Sequence, residues 1–371
     1  MEKRPTHAVI DIGALRFNYL QIKTLIASGT KVMAIVKANA YGHGDVDAAS
    51  TFESMGCDFF GVAVAEEGAR LRNSGVKKPI VVLGGIFPNQ IKGAFALGLT
   101  PVLFDLNTAS LFNEFAMKDG SVKDVHVKID TGMGRLGIRP EDADRFFREF
   151  TDFKHLRLEG LCSHFSSADE VDREFTDRQL ALFRKTVKTA NDLGIQPEYL
   201  HMANSAAIVE FKESHFNLVR PGLMLYGAYP AERMCGKVEL KPVMRLSTRI
   251  LQLKNVPAGT PVGYGRTFVT SKASVIATLP IGYGDGLMRS LSNKGHVIVN
   301  GRTVPLVGTV CMDLAMCDVT HVEGVREGDE AVFLGGQGSV EIAVEEMAKK
   351  AGTISYEIFC SIGPRVPRIY V

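Results

Sequence analysis

Between residue 31 and about residue 225 the chain repeats one pattern eight times: a short apolar, β-prone run, then a longer amphipathic stretch. The runs fall at 32–36, 59–62, 80–83, 101–104, 125–129, 158–162, 198–201 and 218–219, with helix-like apolar spacing between them at 65–72 and 177–184. Strands alternating with helices build a parallel sheet, and eight such units predict that the sheet closes. The expected fold is therefore α/β, a (β/α)8 barrel of the TIM type. An open doubly wound sheet is the alternative, but no G-x-G-x-x-G follows a strand to support it. Ahead of the first barrel strand, residues 14–26 have helical spacing, and Asp11 is placed to cap their start.

The texture changes at about residue 236. Apolar runs at 249–253, 274–279, 296–299 and 332–334 are separated by Pro-Ala-Gly, Asn-Gly and Gly-Gly turns, with one helix-like stretch at 343–350. Asn300-Gly301 between β-prone flanks predicts a two-residue hairpin. The expected organisation is a barrel domain over 1–235, N-terminal strand and helix included, and a mostly β domain over 236–371, joined near 229–240. A chain of 371 residues, 46% of them hydrophobic, can bury cores of that size.

A formal charge of +2 argues against nucleic acid as a partner. No run of about 18 apolar residues exists to span a bilayer, and the N-terminus lacks the apolar region of a secretory signal, so a cytoplasmic location is expected. The six cysteines are scattered with no C-x-x-C pair, which indicates neither a zinc site nor a disulfide framework.

Barrel enzymes place their chemistry at the C-terminal ends of the strands. Lys37, Lys128 with Arg135, His164, Asn204-Ser205 and Arg220-Pro221-Gly222 all fall at or just past a predicted strand end. Lys37 is the most informative, because burying an ammonium costs several kcal/mol. It is either a rim lysine reaching water or an amine that forms an imine with an aldehyde. Ser205 has the plain reading of a helix cap, Arg220 that of a salt-bridging arginine, and His164 that of a hydrogen-bonded core histidine.

The segment Val36-Lys37-Ala38-Asn39-Ala40-Tyr41-Gly42-His43-Gly44 resembles the pyridoxal-phosphate lysine motif of alanine racemases, fold-type III enzymes. The resemblance extends from Asp11 to the terminal Pro364-Arg365-Val366-Pro367-Arg368-Ile369. It implies that Lys37 carries pyridoxal 5'-phosphate. It further implies phosphate contacts from Tyr41, Ser205 and Tyr356 and from the N–H groups of Gly222 and Leu223, with Asn204 beside them. Arg220 matches the family's arginine facing the pyridine nitrogen. A guanidinium has donors only, so the nitrogen it meets stays unprotonated and the ring is a weaker electron sink. In Lys128-Ile129-Asp130-Thr131-Gly132-Met133-Gly134-Arg135, Arg135 matches a ligand of the cofactor's phenolic oxygen and the substrate carboxylate. Lys128 matches a lysine that is carbamylated in some members; an ordinary strand lysine paired with Asp130 is the alternative.

Racemisation needs a proton removed from one face of Cα and returned to the other. By resemblance Lys37 is one base, and Tyr264 in Val262-Gly263-Tyr264-Gly265-Arg266-Thr267 is the other, assisted by His164 coupled to Arg220. Family members supply Tyr264, Met312 and Asp313 from a neighbouring subunit, so an obligate homodimer with shared sites is expected. Tyr283 lines the entrance. Thr309 and Leu314 depart from the commonest pattern, which has Arg and Gln there, leaving corridor charge and substrate preference open. The implied activity interconverts L- and D-alanine, supplying D-alanine for peptidoglycan. The alternatives are a racemase of broader small-amino-acid range and a related decarboxylase, in which a carboxylate would stand in place of Arg220.

Overall fold

The computed structural model describes residues 4–371; the first three residues of the N-terminal stretch read above for an export signal lie outside the described residues. Strand β1 (His7–Ile10) leads into a helix, Ile12–Leu25, whose first turn is capped by Asp11 accepting the Ala14 N–H at 2.8 Å. The barrel follows as β2 (Lys31–Ile35), β3 (Phe59–Val62), β4 (Ile80–Val82), β5 (Leu99–Leu103), β6 (Lys123–Lys128), β7 (Leu156–Cys162), β8 (Tyr199–His201) and β9 (Leu218–Val219). Each of the eight apolar runs thus becomes a strand. β3 and β4 are buried at every position, as strands covered on both faces must be.

Neighbouring strands from β2 to β8 pair in parallel, and β9 pairs in parallel with β2, Lys31 opposite Leu218. Strands β8 and β9, three and two residues long, meet without a ladder. Asn217 spans that seam, its side chain accepting the Leu200 N–H at 2.7 Å and donating to the Glu198 carbonyl at 2.6 Å. The Arg220 N–H adds a bond to the Ala203 carbonyl at 2.9 Å. The seam therefore closes beside two of the residues singled out in the sequence.

The second domain is built on a sheet in which β10 (Met244–Arg249) lies between β1 and Glu330–Gln337, with Arg368–Tyr370 beyond β1. The N-terminal strand thus belongs to this sheet, where the division at 235/236 had placed it with the barrel. Its alternation explains why: Ala8 and Ile10 are fully buried while His7 and Val9 are not, the pattern of a sheet covered on one face. The run at 249–253 is also divided, since β10 ends at Arg249 and Gln252–Val256 starts a separate three-stranded sheet. Asn300 (φ 48°) and Gly301 (φ 71°) form the hairpin between His296–Val299 and Arg302–Pro305. Besides Val344–Ala351 there is a helix not foreseen in the sequence, Ser355–Ser361, which brings Tyr356 over the mouth of the barrel. Among the described residues no helix is long and apolar enough to cross a membrane.

Candidate active site

Strand β2 ends at Ile35, and Lys37 opens a turn of unusual hand. Ala38, Asn39, Ala40 and Tyr41 all have φ between 51° and 56°, and Gly42 follows at 81°. Left-handed backbone costs an L-residue about 1–2 kcal/mol, so four in a row need holding. The Glu67 carboxylate accepts the Ala38 N–H at 2.6 Å with one oxygen and the Ala63 N–H at 2.8 Å with the other. His43 Nδ1 lies 3.0 Å from the Ala40 carbonyl and 2.9 Å from that of Tyr41, and Arg368 Nε donates to the Gly42 carbonyl at 2.9 Å. The barrel and the second domain together thus fix the backbone on which Lys37 sits.

Lys37 faces a cavity of about 650 Å³ at the C-terminal ends of the strands. Lys128, Arg135, His164, Arg220 and Tyr41 line it, with Asn204, Ser205, Gly222 and Leu223 on one side and Tyr356 from the second domain. The structure therefore gathers every barrel residue proposed from the sequence, although they come from five separate stretches. Burial, and then the Arg135 guanidinium, lower the Lys37 amine below its ordinary 10.5. Lys128 is also lowered, chiefly by burial; the Asp130 carboxylate meanwhile accepts the N–H groups of Gly132 and Gly134, each at 3.0 Å.

Arg220 is buried and its two terminal nitrogens are committed. Nη1 donates to His201 Nδ1 and to the His201 carbonyl, each at 2.7 Å. Nη2 donates to the Ser163 carbonyl at 2.6 Å and to the Met202 carbonyl and His164 Nδ1, each at 3.2 Å. A guanidinium only donates, so both imidazoles accept through Nδ1 and, as neutral rings, carry their proton on Nε2. Burial and then the Arg220 charge hold His164 well below the usual histidine range. Nε is the Arg220 donor outside these bonds, on a side chain that lines the cavity.

The opposite side of the cavity suits an anion. Asn204, rather than Ser205, caps Ser205–Glu210 by accepting the Ala207 N–H at 3.0 Å. That frees the Ser205 hydroxyl to meet the N–H groups of Gly222 at 3.0 Å and Met224 at 3.4 Å. A Cβ at Gly222 would stand 2.6 Å from the Tyr41 hydroxyl, so only glycine lets phenol and backbone approach this closely. Burial raises both the Tyr41 and Tyr356 phenols, Tyr356 to about 12, so both are hydroxyl donors at neutral pH.

Apart from Tyr356, the residues proposed from the second domain do not join this cavity within one chain. Tyr264 is 74% exposed and lines a separate depression with Cys311, Leu314 and Met316. The Thr309 hydroxyl donates to the Tyr264 carbonyl at 2.9 Å. Tyr283 and Met312, both exposed, sit on loops tied together by Tyr283 N–H to Cys311 carbonyl at 3.0 Å and Gly284 N–H to Met312 carbonyl at 2.9 Å. Asp313 pairs with Arg365 at 2.7 Å.

The sequence profile described as "Alanine racemase, N-terminal domain" matches residues 10–230, and that described as "Alanine racemase, C-terminal domain" matches residues 243–370. The chain belongs to the alanine racemase family. A curated alanine racemase of Halothermothrix orenii is 46% identical over 367 residues, 99% of this chain and 97% of its own. The solved alanine racemase of Bacillus anthracis with bound L-Ala-P superposes with a TM-score of 0.93 at 35% identity, covering 100% of this chain and 96% of that one. That of Bartonella henselae, with covalently bound pyridoxal phosphate, gives 0.90 at 31% identity and covers 99% of each.

Four residues of this alanine racemase family member escaped the sequence reading: Glu67, which braces the Lys37 turn, and His201, His126 and Glu159, which run back from Arg220. Each histidine lies inside an apolar β-prone run and Glu67 inside a helix-like one, where periodicity assigns an element without showing which side chain meets which.

Proposed function

We propose that the protein interconverts L- and D-alanine using pyridoxal 5'-phosphate, as a homodimer whose two sites each draw on both chains. The observation that carries the reading is the cavity itself, where a half-buried amine, a hydroxyl-and-amide anion cradle and a carboxylate-free arginine converge. Those groups match the cofactor's aldehyde, phosphate and pyridine nitrogen in turn. When bound, the cofactor supplies an electron-accepting ring that makes the substrate Cα proton removable.

The chain's own residues do the rest. Tyr41, Ser205 and the N–H groups of Gly222 and Leu223 anchor the phosphate, with Tyr356 closing over them and Asn204 fixing the helix start. Arg220 presents Nε–H to the ring nitrogen, which must then accept and stay unprotonated, favouring return of the proton to Cα. Arg135 takes the substrate carboxylate with its fork, joined by the Met312 N–H of a second copy, with Asp313 holding that loop. Lys37, its amine disposed to neutrality by burial, moves the proton on one face. Tyr264 of that second copy serves the other face, with neutral His164 between it and the Arg220 charge. Lys128, as a neutral amine, takes up carbon dioxide with loss of a proton, and the resulting carbamate holds Arg135 in place. Tyr283 lines the entry. Residues 1–235, joined by Tyr356, supply the cofactor site and the rest of 236–371 the partner's share, with β1 lent to the latter.

A cytoplasmic role in supplying D-alanine for peptidoglycan fits the activity. The test is incubation with L-alanine, following circular dichroism, CO2 release and cofactor absorbance together across a panel of small amino acids. Loss of optical signal without CO2 supports racemisation; CO2 release, or a yellow but inert protein, overturns it.

A further inference from the structure

Arg220 is a buried cation with no carboxylate in contact among the described residues, which costs several kcal/mol unless the charge is answered elsewhere. A line of buried hydrogen bonds leads from it to an acid. Arg220 Nη1 donates to His201 Nδ1 at 2.7 Å, His201 Nε2 lies 2.9 Å from His126 Nδ1, and His126 Nε2 lies 3.1 Å from the Glu159 carboxylate. Both imidazoles are fully buried. Gly160 gives His126 its place, since a Cβ there would stand 2.6 Å from the ring.

The direction of the line is fixed at both ends. Arg220 can only donate, so His201 accepts through Nδ1 and its proton sits on Nε2; His126 then accepts through Nδ1 and carries its own proton on Nε2; and the ionised Glu159 can only accept. Reversing either ring would set two N–H groups against each other in a dry core, leaving buried donors unsatisfied. The other oxygen of Glu159 faces Arg157 Nη2 at 3.9 Å, and Glu159 stands three residues before the end of β7, about 10 Å below the cavity at the rise of a strand.

We propose that Glu159, acting through His126 and His201, is a positioning residue that sets the tautomer of His201 and thereby the orientation of the Arg220 guanidinium toward the ring of the cofactor. The inference rests on the reading of Arg220 as the group facing the pyridine nitrogen. It assigns a task to an acid that touches neither cofactor nor substrate.

Nitrogen NMR of the protein labelled with 15N-histidine tests the relay without cofactor or substrate, and so separately from the activity. The expected spectrum shows both His201 and His126 neutral, with Nδ1 bare and Nε2 protonated; the opposite tautomer or an imidazolium at either ring overturns the proposal. Glu159→Leu removes the terminal acceptor and should mix the His201 tautomers, weaken pyridoxal phosphate binding about tenfold and lower kcat about tenfold with little change in KM, the scale of outer-shell effects on a positioned ligand. Glu159→Gln, which keeps an acceptor oxygen, should restore all three to within about threefold. A folded Glu159→Leu protein with an unchanged His201 spectrum and unchanged cofactor affinity also overturns it; should that variant fail to fold, the wild-type and Glu159→Gln spectra decide.

Discussion

The Glu67 carboxylate and the Ala38 amide, 29 residues apart in sequence, are joined by a 2.6 Å hydrogen bond immediately after Lys37. Ala38 occupies left-handed backbone that an alanine adopts only at a cost, and Glu67 is one of the groups holding it there. Strain just after the lysine is thus sustained by an acid in the first turn of the helix Ala65–Asn73 that follows β3. Glu67→Ala should destabilise the protein to urea by about 1–3 kcal/mol, because two amide donors lose their acceptor. Glu67→Gln, retaining one carbonyl oxygen, should lose about half as much. Equal stability of all three proteins would show that the turn holds without Glu67.

The Lys37 amine lies below its ordinary 10.5 first because it is buried and second because Arg135 is near. Only the neutral amine condenses with an aldehyde, so uptake of pyridoxal phosphate by the apoprotein should speed up with pH and level off above the lowered pKa. Arg135→Gln removes the second cause, and the rising limb should move to higher pH, by about tenfold in rate per unit displaced. Stability has the same sign. Between the lowered pKa and 10.5 the unfolded chain binds the extra proton, so apoprotein stability should rise with pH through that window; Lys37→Met should remove the share of this rise that Lys37 supplies and leave that of Lys128. Stopped-flow absorbance and urea melts at several pH values read the two effects.

Lys37 and Tyr264 line different depressions of the same chain, which is why the proposed mechanism requires two copies. Lys37→Ala and Tyr264→Phe homodimers should each be nearly inactive. A dimer formed from one of each would contain one intact site and one doubly altered site. After dissociation and random reassociation of an equal mixture, half the dimers are mixed, and activity should return to about a quarter of wild type, as a two-fold shared interface dictates. No recovery in a mixture shown by mass spectrometry to contain mixed dimers would place both bases on one chain.

Local periodicity displayed much of this fold. The apolar runs that became β2 to β9 announce themselves within two to five residues each, and the eightfold alternation fixes the barrel. Long-range pairing was hidden: nothing within His7–Ile10 says that its partners lie at 244–249 and 368–370. The helix at Ser355–Ser361 was missed because Ile354-Ser355-Tyr356-Glu357-Ile358-Phe359 is short and rich in β-prone residues. At the site, residue types and strand-end positions pointed to Lys37, His164 and Arg220. The left-handed turn has little signature in Ala-Asn-Ala-Tyr, where Asn39 alone is of a type that favours positive φ, and the His201 to Glu159 line depends on contacts between strands.

Thr309, which departs from the arginine common at this place in the family pattern that the sequence resembles, has its hydroxyl directed at the backbone of Tyr264. The 2.9 Å bond to the Tyr264 carbonyl, with a 3.3 Å contact to the Thr267 hydroxyl, braces the turn that presents the phenol. Thr309→Val keeps the branched shape and removes the donor, which should lower kcat/KM about threefold, within the 0.5–1.5 kcal/mol of a single neutral hydrogen bond. The loss must be equal in the two directions, because L- and D-alanine have the same free energy in water. The asymmetry therefore has to be sought in the isotope effect. Substituting deuterium at Cα should slow the variant more than wild type with the enantiomer whose proton the phenol takes, and no more than wild type with the enantiomer whose proton Lys37 takes. An isotope effect that grows equally for both enantiomers would mean that Thr309 does not act through Tyr264.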